Sequence, residues 1–419
     1  MLLAYKTTIQ LNNEQSNIVG HMCYAAYKLW NVCNYERKHY TELDLPVDYP
    51  NWYYQKAAHK DDLWYKQLPS QTAQEICKQL DKSWLSFYAL QKSQGIENPR
   101  PPKFKHENIA VTYMQKGIVH ESGSSRIRLT LSKSLKAYMV TTYGIRADFL
   151  YIENPIFKTL DAIKQIKIYP PTKGEAQVII TYEIPDIEML ADNHRYLSID
   201  GGIHNLMTCF NSFTGETFIL GRLLQAICQY FNKEIARVQS QWYEQQKAKG
   251  VKHPKSSKHI KQLYAKKKNI INDYIHKLTR YIVNYCKAQN IHTVIFGDIT
   301  GIRKDNDMGS VINQKLHSLP YRKIYKTLEY KLALEGINFV LQTEAYSSQT
   351  SPLKPDVSKR YACKENRVNR GLYQDGEFFW NADCVGAYNI LRLYLKRMKI
   401  DIELNPMSIK IPYVVKVAV

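Results

Sequence analysis

The stretch YLSIDGGIHNLMTCF, Tyr196–Phe210, reads as an apolar strand, a glycine turn and a second apolar strand. Asp200 is the charge at the end of the first strand, where a buried element has no use for one. A carboxylate at a strand end suits metal or proton chemistry, and an aspartate beside Gly201–Gly202 also suits a plain turn. Read outward, LMTCFNS and TFILG continue as strands joined by FTGE, which makes a β-meander. A long helical stretch follows over 222–289, then the buried-type strand HTVIFGDI (292–299). YRKIYKTLEYKLALEG (321–336) is an amphipathic helix ended by Gly336, INFVLQTEAYSS (337–348) a strand, and NADCVGAYNILRLYLKR (381–397) a helix. Three strands followed by helix–strand–helix–strand–helix predict an α/β sheet with its polar site at the strand ends.

The N-terminal half has a different texture. Residues 1–10 alternate like a strand, and 12–95 are helical and rich in aromatics. Within LPSQTAQEICKQLDKSWLSFYAL (68–90), Ile76, Leu80, Trp84, Phe87 and Leu90 share one helix face. Thr72 and Glu75 fit a capping box at its start, with Ser70 as the alternative cap. NPRPPKFKH (98–106) breaks the helix, and 107–190 read mostly as short strands, among them SRIRLTL and AQVIITYEI.

The chain has 419 residues and a formal charge of +20, from 58 Lys and Arg against 38 Asp and Glu. The length predicts two or three domains, and the charge predicts a polyanionic partner rather than a membrane. There is no apolar run long enough to span a bilayer, and MLLAYKTTIQL lacks the apolar core and cleavage site of a signal peptide. Eight scattered cysteines with no CxxC pair predict a reducing, cytoplasmic setting. Asp383, at the start of the last helix amid Ala382, Gly386 and Ala387, is the second candidate acid, although a helix-cap role explains it equally well.

Taken together, LSIDGGIHNLMTCF, HTVIFGDITGIRK, LEYKLALEGINFVLQTEAYSSQTS and NRGLY followed by NADCVGAYNI resemble the RuvC-like, RNase H-fold nuclease core of TnpB, the OrfB protein of insertion sequences and a relative of type V CRISPR effectors. LPSQTAQEICKQLDKSWLSFYAL and RPPKFK also resemble the family's N-terminal half, so the resemblance, carried by the order and spacing of the blocks, covers about residues 1–395. It implies an RNA-guided DNA endonuclease that pairs a structured guide RNA with double-stranded target DNA beside a short motif. It also implies an α+β multidomain fold: a β-rich, wedge-like domain over 1–11 and 98–190, a helical recognition domain over 12–97, and a RuvC-like nuclease domain over 195–400 with a C-terminal tail at 401–419. The expected cofactor is a pair of Mg²⁺ ions held by carboxylates, and the expected assembly a monomeric ribonucleoprotein.

Two departures from the family pattern matter. Most relatives carry Glu then Asp at the end of the strand HTVIFGDI, and here Gly297 precedes Asp298. Neighbouring residues of a strand face opposite sides, so Asp298 cannot simply stand in for position 297. Glu344, near the end of the strand that the fold places alongside, is the better third acid beside Asp200 and Asp383, with Asp298 the alternative. Loss of activity, leaving an RNA-guided DNA-binding protein, and a transposase role are the rival readings. The second departure is that 347–380 lacks the paired CxxC motifs of many relatives, which predicts a zinc-free lid. Candidate nucleic-acid contacts are Arg367 and Arg370 in that lid, Arg100, Lys103 and Lys105 in RPPKFK, and Lys247, Lys249, Lys255, Lys258, Lys261, Lys266 and Lys267 in an acid-free stretch with nine lysines over 245–272.

Overall fold

The computed structural model describes residues 1–93, 95–299, 309–369 and 371–418. Arg370 lies outside them. The chain forms two compact units, Met1–Asp186 and Ile187–Val419, in a mixed α/β, multidomain architecture.

The first unit runs β1 (Leu2–Gln10), α1 (Asn13–Lys38), α2 (Trp52–Ala58), α3 (Leu63–Lys66), α4 (Ser70–Ser93), β2 (Val111–Met114), β3 (Ile118–His120), β4 (Arg126–Thr130), α5 (Lys133–Tyr143), β5 (Phe149–Glu153), β6 (Ile163–Ile168) and β7 (Glu175–Glu183). Two antiparallel sheets result, ordered β1-β7-β6-β2 and β3-β4-β5. Ile18, Met22 and Leu29 of α1 and Ile76 and Leu80 of α4 join Ile166, Val178 and Ile180 in one core, so helices and sheets of this unit fold around the same apolar interior. The Thr72–Glu75 capping box does not form. The helix begins earlier, at Ser70, which leaves Thr72 buried within its first turn and turns Glu75 toward Lys78 at 3.3 Å. The stretch that reads mostly as strands also holds α5, capped by Ser132 and ended by Gly144 at φ +69°.

The second unit begins with the meander β8 (Tyr196–Asp200), β9 (Met207–Asn211) and β10 (Thr217–Leu220), followed by the helical hairpin α6 (Arg222–Ala248) and α7 (Lys258–Ala288). Then come β11 (Thr293–Gly297), α8 (Ser310–Ser318), α9 (Tyr321–Ala333), β12 (Asn338–Gln342), the β13 (Leu372–Asp375) and β14 (Phe378–Asn381) hairpin, α10 (Ala382–Met398) and β15 (Tyr413–Val414). The sheet order is β12-β11-β8-β9-β10-β15. Strands β8, β11 and β12 are parallel, and β15, from the C-terminal stretch, adds a parallel edge to β10.

Period-two alternation sorts this sheet into two faces. Leu197, Ile199, Val294 and Phe296 pack with α7 and α9. Tyr196 and Ile295 pack with Tyr388, Ile390 and Leu391 of α10. Asp200 shares the parity of Tyr196, and Gly297 that of Ile295, so both belong to the α10 face; Asp298 lies just beyond the end of β11.

Candidate active site

The ends of β8, β11 and β12 run out against the first turns of α10. Asp200 is the last residue of β8, and α10 approaches it at Gly386. A Cβ on Gly386 would stand 2.7 Å from the Asp200 Oδ2, so only glycine lets the helix pass this close. A second missing side chain makes the other half of the site. A Cβ on Gly297 would lie 2.4 Å from the Glu344 Oε2 and 2.9 Å from the Ile390 Cδ1. The Glu344 carboxylate thus lies over the open face of Gly297, having crossed from the strand alongside. Its Oε2 is buried and has no hydrogen-bond partner among the described residues. A buried anionic oxygen left without a partner is costly, and the fold tolerates it here.

The electrostatics follow from this crowding. Burial, then the charges of Glu344 and Asp383, hold the Asp200 carboxyl well above the usual carboxylate range, against the smaller opposite pull of Arg367. Burial, then the charge of Asp298, push Glu344 up to about 7. These carboxyls repel one another, and a cation would relieve them.

Asp383 is engaged differently. It sits in the first turn of α10, whose N-cap is Asn381, and one of its oxygens accepts from the Asn205 side chain at 2.8 Å. The other accepts from Arg367 at 3.1 Å. Asn205 also accepts from the Arg222 Nε at 2.8 Å, which ties the β8–β9 loop to the start of α6. Gly202, His204, Asn205, Arg222, Arg367 and Asp383 line a cleft of about 870 Å³. Among the described residues, no three His, Cys, Asp or Glu side chains converge closely enough to hold an ion as they stand. The donor set still fits magnesium. Asp200 and Glu344 offer crowded oxygens, one of them orphaned, and oxygen-only ligands suit a hard cation.

Asp298 extends the β11–β12 ladder beyond the last strand residue, its backbone N–H donating to the Gln342 carbonyl at 2.8 Å, and its charge reaches Glu344. Lys103, Lys105 and Arg100 are exposed in an extended strap on α1, where Asn31 bonds the Lys105 backbone in both directions and Lys105 lies over the Trp30 ring at 4.6 Å. Lys247, Lys249, Lys255, Lys258, Lys261 and Lys266 are exposed on the α6–α7 hairpin, and Lys267 is partly buried against Asn232. The hairpin's tip is clipped by the Trp242 indole donating to the Lys255 carbonyl at 2.8 Å. In the lid segment Cys363 is partly exposed, whereas Cys384 is buried in α10. Asn205 and Arg222 escape the sequence reading. Asn205 lies in GGIHN beside Asp200, and its polarity in an otherwise turn-like loop is the signal that could have flagged it.

Residues 179–303 match the OrfB_IS605 family, described as "Probable transposase", and residues 321–390 match the Cas12f1-like TNB domain. The "Putative RNA-guided DNA endonuclease InsQ" of Escherichia coli (strain K12) is 22% identical over 342 residues, covering 78% of this chain and 75% of its own. Among solved structures, the mini-RNA-guided endonuclease CRISPR-Cas phi3 aligns at 10% identity and a TM-score of 0.45, covering 94% of this chain and 92% of that one. A Cas12f1–sgRNA–target DNA complex aligns at 14% identity and a TM-score of 0.37, covering 93% and 98%. Strands β8 and β11 lie in the first matched block and Glu344 and Asp383 in the second, so the chain is similar to the OrfB (TnpB) proteins over the one and to the Cas12f1-like TNB domain over the other.

Proposed function

We propose that this chain is an RNA-guided DNA endonuclease that hydrolyses phosphodiesters at Asp200, Glu344 and Asp383. The observation that carries this reading is the buried Oε2 of Glu344, without a hydrogen-bond partner among the described residues, lying over Gly297 in a carboxylate that crowds Asp200. The strand order β10-β9-β8-β11-β12, an antiparallel meander continued by two parallel strands, supports an RNase H-like core. Bound magnesium, expected as a pair, would supply an activated water and neutralise charge on the leaving oxygen. Asp200 and Glu344 offer the ligating oxygens, Asn205 orients Asp383, and Arg367 is positioned to pass from Asp383 to a phosphate. The acid-free lysines of the α6–α7 hairpin and the RPPKFK strap supply the cationic surface that guide RNA and target DNA require.

The relative's printed activity supports the RNA-guided part of this reading. The competing reading, an RNA-guided DNA binder without cleavage, draws on the Arg367–Asp383 ion pair, which keeps one acid occupied. The deciding experiment purifies the protein with its co-expressed native RNA and presents a plasmid target library with and without Mg²⁺. Magnesium-dependent cutting is the expected result. Target binding with no cutting in any divalent cation would leave only the binder.

A further inference from the structure

We propose that α9 is a splint across the two strand ends that carry the acid cluster, and that Tyr321 and Tyr325 are positioning residues of the site through their hydroxyls. The inference rests on the nuclease reading above.

The backbone ladder between β8 and β11 ends at the pair Ile199–Phe296, one residue short of Asp200 and Gly297. Beyond that pair the two strands share no ladder bond, and the acids sit where the pairing has stopped. Tyr321 and Tyr325 lie four residues apart on α9 and therefore share one face of it. Each is 4% exposed. The Tyr321 hydroxyl donates to the carbonyl of Gly202 at 2.7 Å, two residues beyond Asp200. The Tyr325 hydroxyl donates to the carbonyl of Gly297 at 2.9 Å and accepts from the Ile299 N–H at 3.4 Å. One helical turn thus reaches the end of the strand that carries Asp200 and the end of the strand whose Gly297 receives Glu344, and bonds the backbone at each.

Core packing does not call for these hydroxyls. Ile324, Leu328 and Leu332 already seal α9 against the sheet, and phenylalanine would fill the same volume. A buried phenol needs a partner, so its presence is tied to the carbonyl it meets. Gly297 is also the residue whose open face receives Glu344, so the Tyr325 bond fixes the floor on which that carboxylate rests. Reacting groups displaced by about 1 Å can lose about a hundredfold in rate, so holding two strand ends that no longer pair with each other at fixed separation matters to the chemistry.

The test compares Tyr321→Phe, Tyr325→Phe and the double variant with Tyr285→Phe. The Tyr285 hydroxyl bonds Glu216 at 2.6 Å and Asn211 at 2.9 Å, within the same unit but at the other end of the meander. Amide exchange of metal-free protein, read over 200–206 and 297–299, reports the clamp itself, and kcat of the RNA-loaded protein at saturating target reports its use. Each single variant should raise exchange in its own strand-end peptide about fivefold, the loss of one ordinary hydrogen bond. Each should lower kcat about tenfold with target KM unchanged, and the double variant about a hundredfold. Tyr285→Phe should leave both readouts at wild-type values. Unchanged strand-end exchange would overturn the splint whether or not the protein cuts. Raised exchange with unchanged kcat, or an equal kcat loss in Tyr285→Phe, would overturn the positioning role. Raised exchange in a protein whose wild type never cuts would sink the nuclease reading and reduce the splint to a structural clamp.

Discussion

Both units bury charge, and they do it in opposite ways. In the first unit, Arg37 is 1% exposed and lies 2.7 Å from Asp81, a charge contact rather than an aligned hydrogen bond. Its Nε donates to Gln55 at 2.9 Å, and Gln55 in turn donates to Glu36 at 2.7 Å and to the Cys33 carbonyl at 2.8 Å. His59 closes the cluster between Glu36 at 3.2 Å and Asp62 at 2.6 Å. Every charge there faces its opposite, and the cluster ties α2 to α1 and α4. In the second unit, Asp200 and Glu344 are half-buried with like charge for company, and the buried Oε2 of Glu344 has no partner among the described residues. Matched buried charge specifies a structure; unmatched charge drawn out of water is a cost that a cation would remove. The contrast separates a structural polar core from a site by electrostatics alone.

The sharpest way to break the contrast is to neutralise one acid. Asp200→Asn should lower target cleavage by about a thousandfold or more, the rate equivalent of several kcal/mol of charge stabilisation. It should also leave the ion-free protein as stable as wild type or more so. A stability loss in thermal melting would mean that Asp200 is a structural turn residue. In the first unit the same operation should do the reverse: Arg37→Ala strands Asp81 and should cost about 3–5 kcal/mol in chemical denaturation. A loss under about 1 kcal/mol would show that water already reaches the cluster.

The third acid offers a finer cut. Glu344→Ala should reduce cleavage about a hundredfold, whereas Asp298→Asn, just beyond the end of β11, should change it less than about threefold. Adding Gly297→Glu to Glu344→Ala vacates and then refills the same space and should recover about tenfold of the loss, limited by Ile390 against the new side chain. No recovery, with cleavage abolished by Asp298→Asn instead, would move the third ligand to Asp298.

The smallest effect separates the units by pH. Glu344, raised from 4.5 to about 7, binds more protons folded than unfolded in that interval. Ion-free stability should therefore fall as pH rises from 4.5 to about 7 and level off above it. Burial alone would lower His59, but its hydrogen bonds to Glu36 and Asp62 prevail and push it up to about 9. Its contribution is complete below 6.5 and lost as pH rises to about 9. Glu344→Gln should flatten the first slope and His59→Gln the second, read as melting temperature against pH. Loss of both slopes from either variant would mean that these two groups do not control the two intervals separately.

Much of the second unit is legible in the chain itself. The meander, the buried strand HTVIFGDI and the final helix follow from apolar periodicity and turn residues, and these are local properties. Asp200 and Asp383 stand out because each is a charge set among apolar or small neighbours. Period-two alternation argues from the sequence alone that Asp298 does not simply stand in for position 297. The sequence also determines the cationic surface, since nine lysines over 245–272 meet no acid. What only the tertiary structure decided is which distant elements meet. Glu344 lies over Gly297, Tyr321 and Tyr325 reach two strand ends, Arg37 finds Asp81 and Gln55, and Tyr413–Val414 adds a strand to β10. Periodicity tells each residue which face of its own element it occupies, but strand neighbours and helix docking are settled by packing between segments far apart in the chain, where a missing Cβ or a single hydroxyl has no local signature.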